Sequence, residues 1–121
     1  MDDVNSIVEQ LMPKLLNYLI TESQGRTVAH CLDFDLVAVA GNIQKATHDL
    51  DELVRGQLRF IVKTLTLTDL NFRAPQVFWD SYFNGPEVAK THLELDVPPI
   101  GLEVVHRTQK LPVLMRSRAL A

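Results

Sequence analysis

Cysteine is nearly absent from this sequence: Cys31 is the only one among 121 residues. An intramolecular disulfide is therefore excluded, and the place of Cys31 in an apolar run indicates a buried thiol in a reducing compartment. No apolar run approaches the roughly 18 residues of a membrane-spanning helix. The first residues include Asp2 and Asp3 and lack the basic segment of a secretory signal. We expect a cytoplasmic protein that does not contact membranes.

Sequence motifs for common enzyme chemistry are also lacking. The chain has no phosphate-binding P-loop, no Gly-x-Gly-x-x-Gly string and no Gly-x-Ser-x-Gly string. His48, His92 and His106 are scattered, without the spacing of a zinc-binding helix. The sequence thus predicts no catalytic residue, no metal ligand and no cofactor, and we do not expect an enzyme.

Positive charge is scarce outside the C-terminal end. The net charge is −3, yet the last 15 residues contribute +4 from Arg107, Lys110, Arg116 and Arg118. Subtracting that +4 from −3 leaves −7 over the first 106 residues. An acidic body is a poor match to a phosphate backbone, which proteins neutralise with lysine and arginine. Binding to DNA is not expected.

The segment 26–62 is the part of the sequence with the clearest pattern. Residues 27–33 and 36–40 are apolar enough to form strands, and the acidic turn formers Asp33 and Asp35 lie between them. Asn42 then has the side chain of a helix N-cap. Apolar residues follow at helical spacing over the next 23 positions: Ile43, Ala46, Leu50, Leu53, Val54, Leu58, Ile61 and Leu65.

The N-terminal segment completes the predicted core. Apolar residues at helical spacing before Pro13 indicate a short helix that ends near Leu11, and residues 14–22 alternate as a strand does. The predicted order is therefore β-β-β-α. We expect an α+β fold in which one long helix covers a three- to four-stranded antiparallel sheet.

The second half of the chain is less regular. Residues 1–106 are predicted to form one domain with an extension that begins near residue 66, and residues 107–121 a basic, mobile tail. Pro75 can start a helix that Gly85 and Pro86 end. Residues 87–93 fit a short helix or an extended segment, and residues 100–106 fit a last strand.

The extension is rich in aromatic residues. Five of the eight aromatic residues in the chain lie within twelve positions: Phe72, Phe78, Trp79, Tyr82 and Phe83. Each ring buries on the order of 150 to 250 Å², which is too much apolar area to leave in water. The cluster must pack on its own domain, against a partner, or in part on both, and it is our candidate interface.

The strand–turn–helix segment resembles the HicB-like domain of toxin–antitoxin antitoxins. The resemblance covers roughly residues 14–65, and its pattern is formed by Val28, Ala29, Cys31, Leu32, Asp35, Val37, Asn42, Ala46, Leu50 and Leu53. It implies a partial ribonuclease-like fold that neutralises a small RNA-cleaving toxin. Antitoxins of this family bind operator DNA through a separate segment, for which the proline-interrupted run 72–106 offers no candidate.

Three functions remain open at this point. The first is a protein-binding module, a homo-oligomer that binds a small toxin. The second is a structural or regulatory homo-oligomer without a toxin partner. The third is a hydrolase that uses His30, Asp33 or Asp35, although turn formation also explains these two acids.

Overall fold

The structure is a computed structural model that describes residues 2–64 and 73–109, with side chains from Ser6 onward. Within these residues the chain forms three helices and five strands. The helices are α1 (Asp2–Leu11), α2 (Ile43–Thr64) and α3 (Gln76–Asn84). The strands are β1 (Leu15–Ser23), β2 (Arg26–Cys31), β3 (Leu36–Ala40), β4 (Glu87–Glu94) and β5 (Gly101–Thr108).

The five strands form one mixed sheet in the order β3-β2-β1-β5-β4. β1, β2 and β3 pair in antiparallel order as a meander, and β5 then lies parallel to β1, with Tyr18 beside His106. β4 pairs antiparallel with β5 and forms the far edge. The α+β class and the β-β-β-α order are thus confirmed, whereas the prediction of three to four antiparallel strands is wrong.

The error has a physical cause. The sequence pattern marks which segments are extended, but it says little about the direction in which two distant strands pair. β4 also lacks the alternation that marks a half-buried strand, because within it only Leu93 is buried. Residues 87–93 are extended, which settles the alternative of a short helix. Arg107 and Thr108, assigned from the sequence to the tail, lie in β5.

α2 covers one face of the sheet. Asn42 caps it, since its Oδ1 accepts a hydrogen bond from the backbone N–H of Lys45 at 2.8 Å. The side chains that α2 buries are Ala46, Leu50, Val54, Leu58 and Ile61. They pack in the larger core with side chains from all three strands of the meander. Ile43 and Leu53, which the apolar stripe included, are exposed, and Leu65 lies outside the described residues.

Two arginines connect one flank of α2 to the end of β4 and to the segment that follows it. Arg59 Nη2 lies 3.0 Å from Asp96 Oδ2, and Arg55 Nε donates a hydrogen bond to the Glu94 carbonyl at 3.2 Å. Because each helical residue turns about 100°, Leu53 lies on nearly the opposite side of α2 from Arg55. The flank that carries Leu53 therefore points toward the β3 edge.

A small, partly buried polar group lies beside the apolar core, on the α2 side of the sheet. The Tyr18 hydroxyl donates a hydrogen bond to Asp51 Oδ1 at 2.7 Å, and His106 Nε2 is hydrogen-bonded to Thr91 Oγ1 at 2.9 Å. The Tyr18 and His106 rings are in contact, with centroids 5.2 Å apart. Burial raises the pKa of Tyr18 and lowers that of His106, the latter opposed by the Asp51 charge. The tyrosine is therefore neutral, and the histidine resists protonation in the folded chain.

The lowered pKa of His106 predicts that the folded chain loses stability at acidic pH. Unfolding restores the ordinary pKa of 6.5, so the unfolded chain binds a proton more readily than the folded chain. The contribution of His106 is complete above that value and is lost as the pH falls from 6.5 through the lower folded pKa. Urea denaturation at pH 7.5 and 5.0 should show a loss of stability that is smaller in His106→Gln. An equal loss in both chains would contradict the assignment.

Candidate protein-binding surface

α3 lies on the face of the sheet opposite α2. Pro75 precedes its first residue with φ −55°, and Gly85 ends it by donating its backbone N–H to the Tyr82 carbonyl at 3.1 Å. The helix between Pro75 and Gly85 is confirmed. Its ends are fixed to the sheet, since Ala74 N–H bonds the Leu32 carbonyl and Thr108 N–H bonds the Pro86 carbonyl.

Two of the predicted interface aromatics anchor α3 on the sheet. Trp79 and Tyr82 are buried in a second apolar core with Leu19, Leu32, Ala74 and Val105. The Tyr82 hydroxyl donates a hydrogen bond to the Val105 carbonyl at 3.3 Å, and burial raises the pKa of Tyr82 to about 12 against the opposing Arg107 charge. These two rings are core residues, so packing on the chain's own domain accounts for them.

Of the other three predicted interface aromatics, the structure describes two, and both are exposed. Phe83 is 61% exposed and rests by its ring on Trp79 and Tyr82, while Phe78 is 37% exposed. Val77, which precedes Phe78 in the helix, is also exposed. Phe72 lies outside the described residues. The cluster therefore divides into a buried pair and an exposed pair, and its use as an interface stays a prediction.

The exposed apolar surface continues from α3 onto the sheet. The Phe78 ring meets the His30 imidazole edge-on at a centroid distance of 4.8 Å. His30 on β2 pairs with Val37 on β3, and Val28 pairs with Val39. Val37 and Val39 are each about half exposed. We call the surface formed by Phe78, Val37 and Val39 the β3 shelf.

The β3 shelf was not predicted as a surface. The unbroken apolar run 36–40 is typical of a buried strand. In the structure, however, Ala38 and Ala40, which point toward α2, are its only buried residues. Large and small side chains alternate in this run, with valine on one face and alanine on the other. That alternation was the available signal of two unequal faces, since strand neighbours point in opposite directions.

His30 and the two turn acids form local contacts beneath the shelf. His30 Nε2 lies 2.7 Å from Asp35 Oδ1, a pair that links the end of β2 to the start of β3. Asp33 instead accepts hydrogen bonds from the backbone N–H of Asn17 at 2.7 Å and from its side chain. Burial raises the pKa of Asp33, against the effect of those bonds. The two acids of the β2–β3 turn thus bind different partners, Asp33 in β1 and Asp35 in β2.

The remaining candidate groups lie apart from one another. Cys31 is buried in the larger core, where burial raises its thiol pKa, and His48 and His92 are exposed. Among the described residues no three histidine, cysteine, aspartate or glutamate side chains converge as metal ligands. A cleft of about 270 Å³ beside α1 is lined by Glu9, Met12, Pro13, Lys14, Ile100, Gly101 and Leu102, and includes none of these candidates.

None of the described helices combines the length and apolar character that membrane crossing requires. Comparison of the chain with protein-family models, with curated proteins and with solved structures found no match. Arguments about function therefore rest on the residues and their geometry.

Proposed function

We propose that this chain is a non-enzymatic protein-binding module whose α3 and β3 shelf receive another protein, a small toxin of the kind that HicB-like antitoxins neutralise. The observation that supports this proposal most is that α3 buries only two of its large apolar side chains and leaves three exposed. Trp79 and Tyr82 are the buried side chains of the helix, while Val77, Phe78 and Phe83 are exposed.

Leaving these side chains exposed costs free energy in an isolated chain. Burial of apolar surface is worth about 25 cal/mol per Å², and exposed aromatic groups beside a rim of polar residues are typical of protein interfaces. Asp80 and Gln76 supply such a rim on α3, where the Gln76 amide donates a hydrogen bond to Asp80 Oδ1 at 3.0 Å.

The charge around the α3 aromatics is of both signs, because Arg73 lies over the Trp79 ring at 4.3 Å and Arg107 over the Tyr82 ring at 5.2 Å. The case for a basic partner therefore rests on the net charge of the chain.

The toxin assignment rests on the HicB resemblance of residues 14–65. A toxin that cleaves RNA must carry basic groups for the phosphate backbone. The first 106 residues of this chain carry a charge of −7, from the net −3 less the +4 of the last 15 residues. Charge complementarity therefore favours that partner.

The test is purification of the tagged native chain from its own cells under mild conditions. We expect a small basic protein to co-elute in stoichiometric amount. After separation under denaturing conditions and refolding, that protein should cleave RNA, and addition of the purified chain should stop the cleavage.

Variants of α3 make the test specific. Phe78→Asp with Phe83→Asp should abolish co-elution, because it places two charges on the contact surface. Ser6→Asp with Gln10→Glu adds the same charge at exposed polar positions of α1, away from α3, and should retain the partner. Circular dichroism checks that both variants fold. Wild-type chain that elutes without a second protein contradicts toxin binding and favours a homo-oligomer without a toxin.

A further inference from the structure

The two edge strands of the sheet, β4 and β3, differ in charge and in regularity. β4 carries Lys90 near its middle and a glutamate at each end, Glu87 and Glu94, and a register shift between Glu87 and Ala89 interrupts its pairing. Charges and bulges of this kind prevent a sheet edge from adding further strands. β4 is therefore a protected edge.

β3 has neither protection. Its five residues contain no charge, no proline and no bulge, and in the described part of the chain it pairs only with β2. Val37 and Val39 stand half exposed on the shelf side of this strand. An uncharged apolar edge strand is a template for another strand.

The other side of the same edge is also apolar. Leu53 is 44% exposed and Phe60 is 52% exposed. They lie seven residues apart on one line along α2, on the flank opposite Arg55 and hence toward β3. A strand added to β3 would therefore find apolar side chains on both faces of the sheet.

We propose that a second copy of this chain occupies the β3 edge, with the two β3 strands antiparallel about a two-fold axis near Ala38 and the Leu53–Phe60 flanks of the two α2 helices in contact. The pairing yields a continuous ten-stranded sheet. A two-fold axis requires this antiparallel order, because each strand must present the same groups to the other.

The run Val37-Ala38-Val39 is symmetrical about Ala38, so this register sets each Val37 opposite the partner's Val39. Cross-strand pairs of β-branched side chains stabilise antiparallel sheets. The strand ends are also complementary in charge. Asp35 precedes β3, while the N-terminal end of α2 follows it with no acid in its first turn and with Lys45 exposed.

Antiparallel pairing brings Asp35 of one copy toward the α2 N-terminus of the other. The positive end of a helix dipole and a lysine both favour a nearby carboxylate. A second copy thus fits this edge in apolar character, register and charge. The arrangement leaves Val77, Phe78 and Phe83 exposed on α3, so the dimer contact and the partner-binding surface share only the valines of the β3 shelf.

Sedimentation velocity on the full chain tests the proposal. The wild-type chain should form a dimer of twice the 13.7 kDa chain mass. Leu53→Lys with Phe60→Lys should raise the dimer dissociation constant by about 100-fold or more, because four like charges would meet in an apolar contact. Wild-type chain that stays monomeric at about 100 µM, far above the Kd of a specific dimer, overturns the proposal.

Gln44→Lys with His48→Lys is the matched control, since both positions are exposed on α2 and lie on the flank of Arg55, away from Leu53 and Phe60. This control should remain dimeric. A dimer equally weakened in control and test variants, or unaffected by the Leu53 and Phe60 changes, contradicts the assigned edge. Phe78→Asp with Phe83→Asp should remain dimeric, which separates a failure here from a failure of partner binding.

A disulfide tests the register. Residues directly opposite in antiparallel strands have Cα atoms about 4.5 to 5.5 Å apart, within the range that a disulfide spans. Ala38→Cys should therefore form a covalent dimer on mild oxidation, whereas Val88→Cys on the protected β4 edge should not. A dimer that fails to cross-link at position 38 overturns the two-fold axis near Ala38.

Discussion

Replacing Gly85 by alanine is expected to destabilise the chain by roughly 3 kcal/mol, near the upper end of overpacking costs. A Cβ at this position would lie 1.7 Å from the Thr108 backbone oxygen and 2.9 Å from its carbonyl carbon. Both are backbone atoms at the end of β5, so relief requires movement of the strand or of α3. The Thr108–Pro86 hydrogen bond would be lost with that movement.

Gly56→Ala is the matched control for this prediction. A Cβ at Gly56 meets no atom within 4 Å, and the residue lies in the interior of α2. Alanine should there stabilise the helix by up to about 1 kcal/mol. Urea denaturation of both variants should give changes of opposite sign. Destabilisation of similar size in both would show that α3 is not seated against the end of β5.

The second large effect is expected at Leu50. This side chain is fully buried between α2 and the meander, and its truncation to alanine should cost about 3 kcal/mol through lost burial and a cavity. Ile43→Ala on the same helix removes a similar amount of apolar side chain at an exposed position. It should cost less than about 1 kcal/mol. Equal losses at both positions in chemical denaturation would contradict the burial of this face of α2.

These positions show what the sequence could predict. The helical period from Ala46 to Ile61 predicts one buried stripe, and Asn42 predicts where the helix begins. The period alone assigns Leu53 to the same stripe, although it lies at the margin of the buried face. Whether a marginal side chain is covered depends on the width of the neighbouring sheet, which local spacing does not encode.

Pairing over long distances was the other missing information. β5 lies beside β1 because both ends of the chain return to the same sheet, and no local pattern near Leu16 or Val104 indicates that neighbour. The contact between His30 and Asp35 depends in the same way on the turn, where Asp35 adopts a positive φ of 54°. The aromatic cluster was predicted as a group, but its division into Trp79 and Tyr82 inside and Phe78 and Phe83 outside required the position of α3.

The sheet has one face that α2 covers well and one face that α3 covers only in part. On the second face, α3 occupies the middle, the β4 side is charged, and the β3 side is apolar. Protein contact at the β3 side would bury Val37 on the shelf and would also extend the sheet at its unprotected edge. Val37 therefore lies both in the proposed partner-binding surface and in the proposed dimer contact.

Light scattering on the native protein, purified from its own cells, tests the contact surface most directly. We predict a mass that exceeds the 13.7 kDa of one chain by the mass of at least one further protein chain. In the folded Val37→Lys variant, the mass should fall toward 13.7 kDa. A wild-type mass of 13.7 kDa, unchanged by the substitution, would contradict it.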